Sequence, residues 1–576
     1  MRAQDNCDRP HITSNGNNQR VVNNNKITSK EAASHLCEQS CELCASPEKD
    51  AVEPSACDPC GTTGTKLVED VEAADHCLHE TDVCIIGSGP DALCALSALH
   101  EPLAPLDPDQ FRRAINSKGK RRQRAPNVCV ISPSGAWLRQ WEDRFSALGI
   151  EYLRSPASAH PDMFSAVSLL HFVHTRGHPS DLVDVGVRSV RELSAKNGQS
   201  KGRYLGRIPD VDTGLFDIPS QKVFIKFCRN LASKLPHQFV QGRAVDIDQV
   251  AASESPKQKN GILRVDVLKA DGTRGHVLAG KIIVAIGAPG PHFVPELIRH
   301  NVPRSLYTHT NNACELQAMT KAATSTQSIL VVGGGLSAVQ AALAFENQGA
   351  KVVLASRRPL SWRHFDLPVS WFDRRTQNRV RHGFFATSIA DRPALIREAK
   401  GGGTVPPWYR NPLANSSVQQ VVAHLTAVTV GPPTPSPHPC IVVTLTAPDG
   451  SVRRCKFDHL VLGTGSAPDC LALPLVAAIQ RKWPIEIKAG LPVVEQSLRW
   501  GKVPIYVTGG LAALRVGPTA TNLMGARQCA QDIADEFGVY DVLDAPELYS
   551  VHSNKFAALF GDDSTSSEED SSECSD

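Results

Sequence analysis

Twice along the chain an apolar strand runs into a glycine-spaced turn and opens a helix, and no other feature limits the fold as sharply. The first instance is TDVCIIGSGPDALCALSALH, with Gly87, Gly89 and Ala92 in a G-x-G-x-x-A spacing. The second is QSILVVGGGLSAVQAALAFENQGAKVVLASRRP, with Gly333, Gly335 and Ala338 in the same spacing. Each small residue answers one physical demand. The first glycine permits the tight turn, the second lets the backbone approach a pyrophosphate, and the alanine lets the helix pack closely on the strand. The anion then meets the unpaired N–H groups and the positive dipole end of the helix. A glycine triad by itself is weak evidence, but one that comes after a strand and opens a helix has the required context.

The residues downstream of each helix distinguish the two sites. After the first helix the next strand, NVCVIS, ends at Ser132. A carboxylate is the usual ribose partner there, and a serine hydroxyl bonds a ribose more weakly. After the second helix the strand KVVLAS leads to Arg357 and Arg358 instead of an acidic residue. Arginine at this point accommodates the 2′-phosphate of NADP through charge-assisted, bidentate bonds, so NADPH is expected over NADH. Simple solvent exposure of the two arginines is the plainer alternative.

Alternation of short apolar runs with helical stretches extends from about Asp82 to Phe537 and indicates an α/β fold with parallel sheets. Residues 1–79 are polar and Cys-rich and read as largely disordered. Residues 104–126 form a polar insertion carrying the basic cluster KGKRRQR at 118–124, and residues 541–576 end in an acidic, Ser-rich tail. Such a tail cannot bury enough apolar surface to fold alone. The net charge of +2 argues against a general nucleic-acid role, and no apolar run reaches the ~20 residues of a membrane span. The N-terminus has no apolar core of the secretory type, so the expected location is cytoplasmic. The basic cluster is a solvated loop on the plain reading. The sharper readings are nuclear import or, together with the tail, protein partners.

The chain has 17 cysteines, several of them inside apolar strands or helices, which fits free thiols in a reducing compartment. Cys41 with Cys44 and Cys57 with Cys60 form two C-x-x-C pairs, with Cys37 and His35 nearby. Four thiolates at such spacing suit a tetrahedral zinc ion. A redox-active dithiol and unstructured free thiols remain open beside that reading. No C-x-x-C pair lies between Asp82 and Phe537, which counts against a disulfide reductase.

Two strand-to-glycine segments, KIIVAIGAPGPHFVP and FDHLVLGTGSAPD, and the C-terminal KVPIYVTGGLAALRVGPTATNLMGARQCAQDIADEF complete the pattern. With both glycine motifs in order, the chain resembles the flavin-dependent monooxygenases that carry FAD and NADPH, including the lysine/ornithine N-monooxygenases and the flavin-containing monooxygenases. It also resembles the oxidative-stress-induced growth inhibitor proteins of animals. Local matches include ISPSGAWLRQW, YLRSPASAHPD, FDIPSQKVFIKFCRNLA and VGPTATNLMGAR.

The resemblance implies a two-dinucleotide-binding-domain flavoprotein, with the second Rossmann unit inserted in the FAD domain. The expected boundaries are 80–310 for the first part of the FAD domain, 325–455 for the NADPH unit and 456–540 for the return of the FAD domain. It implies an FAD role for Gly87, Gly89 and Ala92, with Ser132 as a departure at the ribose position, and an NADPH role for Gly333, Gly335, Ala338 and Arg357, beside which Arg358 is a further candidate. Gly509, Gly510 and Asn522 would lie near the flavin. In such enzymes NADPH reduces FAD, oxygen is captured as a flavin hydroperoxide, and a small nucleophilic substrate takes one oxygen atom. Two other functions remain open: a regulatory flavoprotein with little turnover, and an NADPH oxidase or reductase. The segment SWRHFDLPVSWFDRRTQNRVRHGFF, rich in arginine and aromatic residues, is expected to be a surface helix, with a pocket lining as the alternative.

Overall fold

The computed structural model describes residues 76–100, 126–186, 216–250, 262–372, 374–431 and 440–537. The expected zinc ligands Cys41, Cys44, Cys57 and Cys60, the basic cluster and the acidic tail lie outside the described residues.

The elements that position the sites are, in chain order, β1 (His76–Ile86), α1 (Pro90–His100), β2 (Val128–Ser132), α2 (Arg139–Leu148), α3 (Gln221–Ala232), β3 (Gln238–Gln241), β4 (Arg243–Val250), β5 (Ile262–Leu268) and β6 (Arg274–Val284). Next come β7 (Tyr307–His309), β8 (Ser328–Val332), α4 (Leu336–Glu346), β9 (Lys351–Ser356), α5 (Arg374–Ala386), α6 (Arg392–Lys400) and β10 (Gln419–Val422). The last are β11 (His424–Gly431), β12 (Cys440–Thr446), β13 (Val452–Phe457), β14 (His459–Leu462), β15 (Ile505–Val507) and α7 (Leu523–Glu536).

The first sheet runs β3-β2-β1-β6-β5-β4. One edge of β6 lies along β1, while its other edge is shared in succession by β5, antiparallel, and by β15, parallel. The central strands are continuous apolar runs because helices or loops cover both faces of such a sheet. Ile85, Val130 and Ile283 have no exposed surface. The second sheet, β10-β9-β8-β14-β7, is wholly parallel. It draws β7 and β14 from outside the expected span of 325–455, so the second strand-to-glycine segment supplies a strand to this sheet before it returns to the first.

The two connections between the sheets run side by side. His292 bridges Ser466 antiparallel, and the Phe293 amide donates to the Gly465 carbonyl at 2.9 Å. Gly290 has no room for a side chain, because a Cβ there would run into the Ala467 carbonyl and lie 2.6 Å from the Asp469 nitrogen.

Two histidines are held neutral, His309 at this junction and His459 at the start of β14. His309 stacks on His292 with centroids 4.8 Å apart, and its Nδ1 accepts from the Asn311 amide at 3.1 Å. Burial, with His292 adding to it, pushes His309 down to about 4, and burial does the same to His459. The unfolded chain takes up protons near pH 6.5 while the folded chain refuses them until about pH 4. Stability is therefore lost as pH falls through that window, by up to about 3 kcal/mol per histidine. His309→Gln should lose less stability than the parent between pH 7.5 and 4.5, measured by urea unfolding. Equal acid losses in the two proteins would exclude this role for His309.

The Arg- and aromatic-rich segment is only partly the surface helix expected. It forms α5, yet Phe365, Trp371, Phe372 and Phe384 are buried in the core that contains the first sheet. Beyond the segment, Arg392 at the start of α6 reaches inward and donates to the Leu514 carbonyl at 2.8 Å. The burial of large aromatic area outweighs the hydrophilicity of the segment, whose Arg363 donates to the Lys400 carbonyl at 2.8 Å.

Candidate dinucleotide sites

At the first turn, Gly87 has φ +117°, and a Cβ there would strike the Ala285 carbonyl. Its own N–H donates to the Ile131 carbonyl at 2.9 Å. The residue is therefore required by the protein itself. Gly89 differs: its φ is not in the left-handed region, and a Cβ built on it meets nothing within 4 Å. Ala92 has no exposed surface where α1 packs. The expected tight turn, open approach and close packing thus fall on three separate residues.

Ser132 is buried at the end of β2, but it does not stand alone. Its hydroxyl lies 2.8 Å from that of Ser88 and 3.1 Å from that of Ser134. A chain of three serines replaces the single carboxylate expected at a ribose. Ser88 sits inside the glycine motif itself, so the sequence carried a signal for it.

Three turns meet at the ends of β1, β6 and β15. The Gly510 amide donates to the Gly287 carbonyl at 2.9 Å, and a Cβ on Gly509 would lie 3.0 Å from that same carbonyl and 3.5 Å from Asp91 Oδ1. Thr508 Oγ1, at the edge of this junction, is buried without a partner. A buried orphan hydroxyl costs free energy unless something accepts or donates to it. The orphan, the open face of Gly89 and the amino end of α1 fit a pyrophosphate-bearing cofactor such as FAD. Asp91, in the first turn of α1, is pushed up to about 7 by burial.

Asn522 is engaged as a cap. Its carbonyl accepts from the Met524 and Gly525 amides at 3.0 and 3.3 Å, and its amide lies 3.4 Å from both Asp366 oxygens. The side chain expected near the flavin therefore caps the amino end of α7 and ties it to the inserted segment.

At the second turn, Gly333 has φ +156°, and a Cβ there would collide with the Gly463 carbonyl and approach Ala338 Cβ at 2.9 Å. Gly463 has no room either, because its Cβ would lie 2.6 Å from Ala338 Cβ. Gly333, Ala338 and Gly463 thus let α4 seat directly on β8 and β14. Gly335 caps α4, and the backbone of Gly403 lies against it. Beyond β9, Arg357 and Arg358 are exposed, and Ser356 Oγ donates to the Arg358 carbonyl at 2.8 Å. Beside them opens a cavity of about 240 Å³, walled by Leu354, Ser356, Leu360, Trp362, Gln420 and Val421. Its position at the carboxyl ends of two parallel strands is where α/β sheets bind nucleotides. Sequence reading missed Leu360 and Val421, which two separate segments bring together, whereas Trp362 belongs to the Arg- and aromatic-rich segment for which a pocket lining was the alternative.

Cys84, Cys94, Cys129, Cys228 and Cys529 are buried free thiols, and burial raises the pKa of each. Among the described residues the only grouping with metal-ligand spacing is Asp246, Asp248 and Asp266. Lys482 already occupies it, with Nζ at 2.8 Å from Asp246 and 2.5 Å from Asp248. Among the described residues no helix is long and apolar enough to cross a membrane.

Residues 214–400 match the family model for L-lysine 6-monooxygenase/L-ornithine 5-monooxygenase. No curated protein matches the chain by sequence. Among solved structures, the chain is similar to the reduced form of the ornithine hydroxylase of Pseudomonas aeruginosa, at 16% identity and TM-score 0.54 over 80% of this chain and 99% of that one. The ornithine N-hydroxylase of Kutzneria sp. 744, solved with reduced FAD, NADP+ and L-ornithine, gives 16% identity and TM-score 0.55 over 80% and 99%. The L-lysine 6-monooxygenase of Pseudomonas syringae gives 16% identity and TM-score 0.51 over the same shares. The chain therefore has the fold of the two-dinucleotide-binding-domain flavoproteins, and its resemblance to the lysine/ornithine monooxygenases holds in sequence over residues 214–400.

Proposed function

We propose that the chain is an FAD- and NADPH-dependent monooxygenase that places one oxygen atom on a small nucleophilic substrate, with amines of the lysine and ornithine type as the first class to test. The observation that carries this reading is the chemical contrast between its two glycine turns. The first offers an open glycine face, an orphan buried hydroxyl and a helix N-terminus. The second offers two exposed arginines beside an apolar cavity.

Gly89 and the amino end of α1 would receive the FAD pyrophosphate, with Ser88, Ser132 and Ser134 at the ribose. Gly335 and the amino end of α4 would receive the NADPH pyrophosphate. Arg357 and Arg358 would pair with its 2′-phosphate, and Leu360 and Trp362 would flank its base. Bound flavin supplies the two-electron and oxygen chemistry, while the protein positions it and excludes water.

The test is to load the protein with FAD and follow anaerobic bleaching by NADPH and by NADH, then oxygen uptake with candidate amines. A hydroxylated product matched to NADPH consumption supports the reading. Near-stoichiometric peroxide with no product would make the protein an oxidase, and flavin binding without turnover would make it regulatory. Replacing Arg357 and Arg358 together by alanine should cost about 10- to 100-fold in NADPH affinity and leave NADH nearly unchanged. An equal loss for both nucleotides would remove these residues from the 2′-phosphate site.

A further inference from the structure

Arg154 belongs to the first unit by its backbone. Next to it the Leu153 amide donates to the Pro219 carbonyl at 3.1 Å, and the Ala157 amide donates to the Asp217 carbonyl at 2.8 Å. Its guanidinium, however, is spent entirely on the inserted segment. Nε donates to the His364 carbonyl at 3.4 Å and Nη1 to the Thr404 carbonyl at 2.8 Å. Nη2 reaches the carbonyls of Arg363 at 3.1 Å and Phe365 at 2.6 Å, and Thr404 Oγ1 at 2.7 Å.

Thr404 belongs to a two-stranded ribbon in which Ser361 pairs with Thr404 and Trp362 with Val405, and Arg363, His364 and Phe365 follow its first strand directly. The ribbon, with the residues that follow its first strand, straddles both cores: Trp362 and Val405 pack in the second, Phe365 and Leu367 in the first. It also touches both sites. Trp362 walls the nucleotide cavity. Gly403, next to Thr404, lies so close to the second glycine turn that a Cβ on it would sit 2.7 Å from the Gly335 nitrogen. On the other flank, Asp366 meets the Asn522 amide, and Lys400 Nζ donates to Thr521 Oγ1 at 2.8 Å beside the amino end of α7.

We propose that Arg154 is a positioning residue for flavin reduction, fixing the ribbon and with it the second glycine turn relative to the first unit. This inference rests on the reading of NADPH as reductant and FAD as acceptor. Arginine is required because only a planar five-donor fork satisfies several carbonyls around one point, while lysine presents three donors from a single nitrogen. Geometry matters because hydride transfer needs the nicotinamide carbon that gives the hydride and the flavin nitrogen that takes it in near contact, and a misplacement of about 1 Å can cost about 100-fold.

The test compares the FAD-loaded parent with Arg154→Gln, Arg154→Lys and Thr404→Val, the last removing one acceptor with little change of volume. In Arg154→Gln, the reduction rate at saturating NADPH should fall about 10- to 100-fold, with flavin content kept and NADPH affinity changed by less than about threefold. Arg154→Lys should recover little of the rate. Amide hydrogen exchange at residues 361–367 and 401–405 should speed up in Arg154→Gln whether or not the protein turns over. If Arg154→Gln does not fold, Thr404→Val carries the test through the same two readouts, with a smaller slowing expected. Unchanged rates together with unchanged exchange overturn the inference. A parent protein that NADPH fails to bleach refutes the reductant reading instead, and the exchange measurement then decides the clamp alone.

Discussion

Gly89→Val is expected to yield a folded, colourless protein. The backbone at Gly89 is one that any residue can adopt, and a Cβ there finds no protein atom within 4 Å. Nothing in the folded chain requires glycine at this position, so the melting temperature without cofactor should stay within a few degrees of the parent. A branched side chain would instead fill the space through which the backbone approaches a pyrophosphate, and FAD affinity should fall more than about 100-fold, or roughly 3 kcal/mol. Gly87 gives the necessary contrast. Its φ of +117° and its closeness to the Ala285 carbonyl make even alanine a defect of the fold, so loss of flavin there would say nothing about ligand binding. The measurement is the flavin absorbance of both purified variants beside their thermal melts. A Gly89→Val protein carrying the parent's full complement of FAD would show that the cofactor does not cross this turn.

How much of the fold and of the sites was legible in the sequence depends on the range of the interaction. The strand–glycine–helix units were readable because a short segment holds each one, and the side-chain patterns of β1, α1, β8 and α4 state their own partners. The far side of the second sheet was less so. β7 is three residues long, and only its pairing with β14 identifies it as a strand, while β14 was readable as the strand of FDHLVLGTGSAPD but its place between β8 and β7 was not. The same limit applies to Ser132. Its lack of charge was evident, but its bond to Ser88 needed the fold to bring residues 44 apart in sequence within 2.8 Å. Arg154 lies inside YLRSPASAHPD, where nothing local gives it a task, because its acceptors are about 210 to 250 positions away. Exposed arginines after β9 were predictable in type and place, whereas the cavity beside them, assembled from Leu360, Trp362 and Val421, was not. The aromatic residues around α5 mislead for a further reason. Arginine-rich periodicity describes the outer face, and the sequence alone does not show that Phe384 turns inward.

The second large effect expected concerns pH. FAD affinity should weaken nearly tenfold per unit as pH rises above about 7, and Asp91→Asn should make it almost independent of pH. Asp91 lies in the first turn of α1, two residues beyond Gly89, where the helix dipole favours a carboxylate. Burial works in the opposite sense and prevails, pushing the carboxyl up to about 7. A bound pyrophosphate at the same helix end adds like-charge repulsion and further disfavours ionisation. The complex therefore holds a proton that the free protein releases above about pH 7, and linkage turns that proton into a pH-dependent affinity. The sign for the fold alone agrees. A carboxyl raised from 3.8 to about 7 costs stability progressively as pH rises between those values, so Asp91→Asn should also be the more stable protein at pH 8. Asparagine keeps the shape and a donor for a phosphate oxygen while removing the titration. Fluorescence titration of FAD from pH 6 to 9 on both proteins decides the matter. Parallel pH profiles for parent and variant would mean that Asp91 stays ionised beside the cofactor, and that the first turn of α1 does not meet its phosphates.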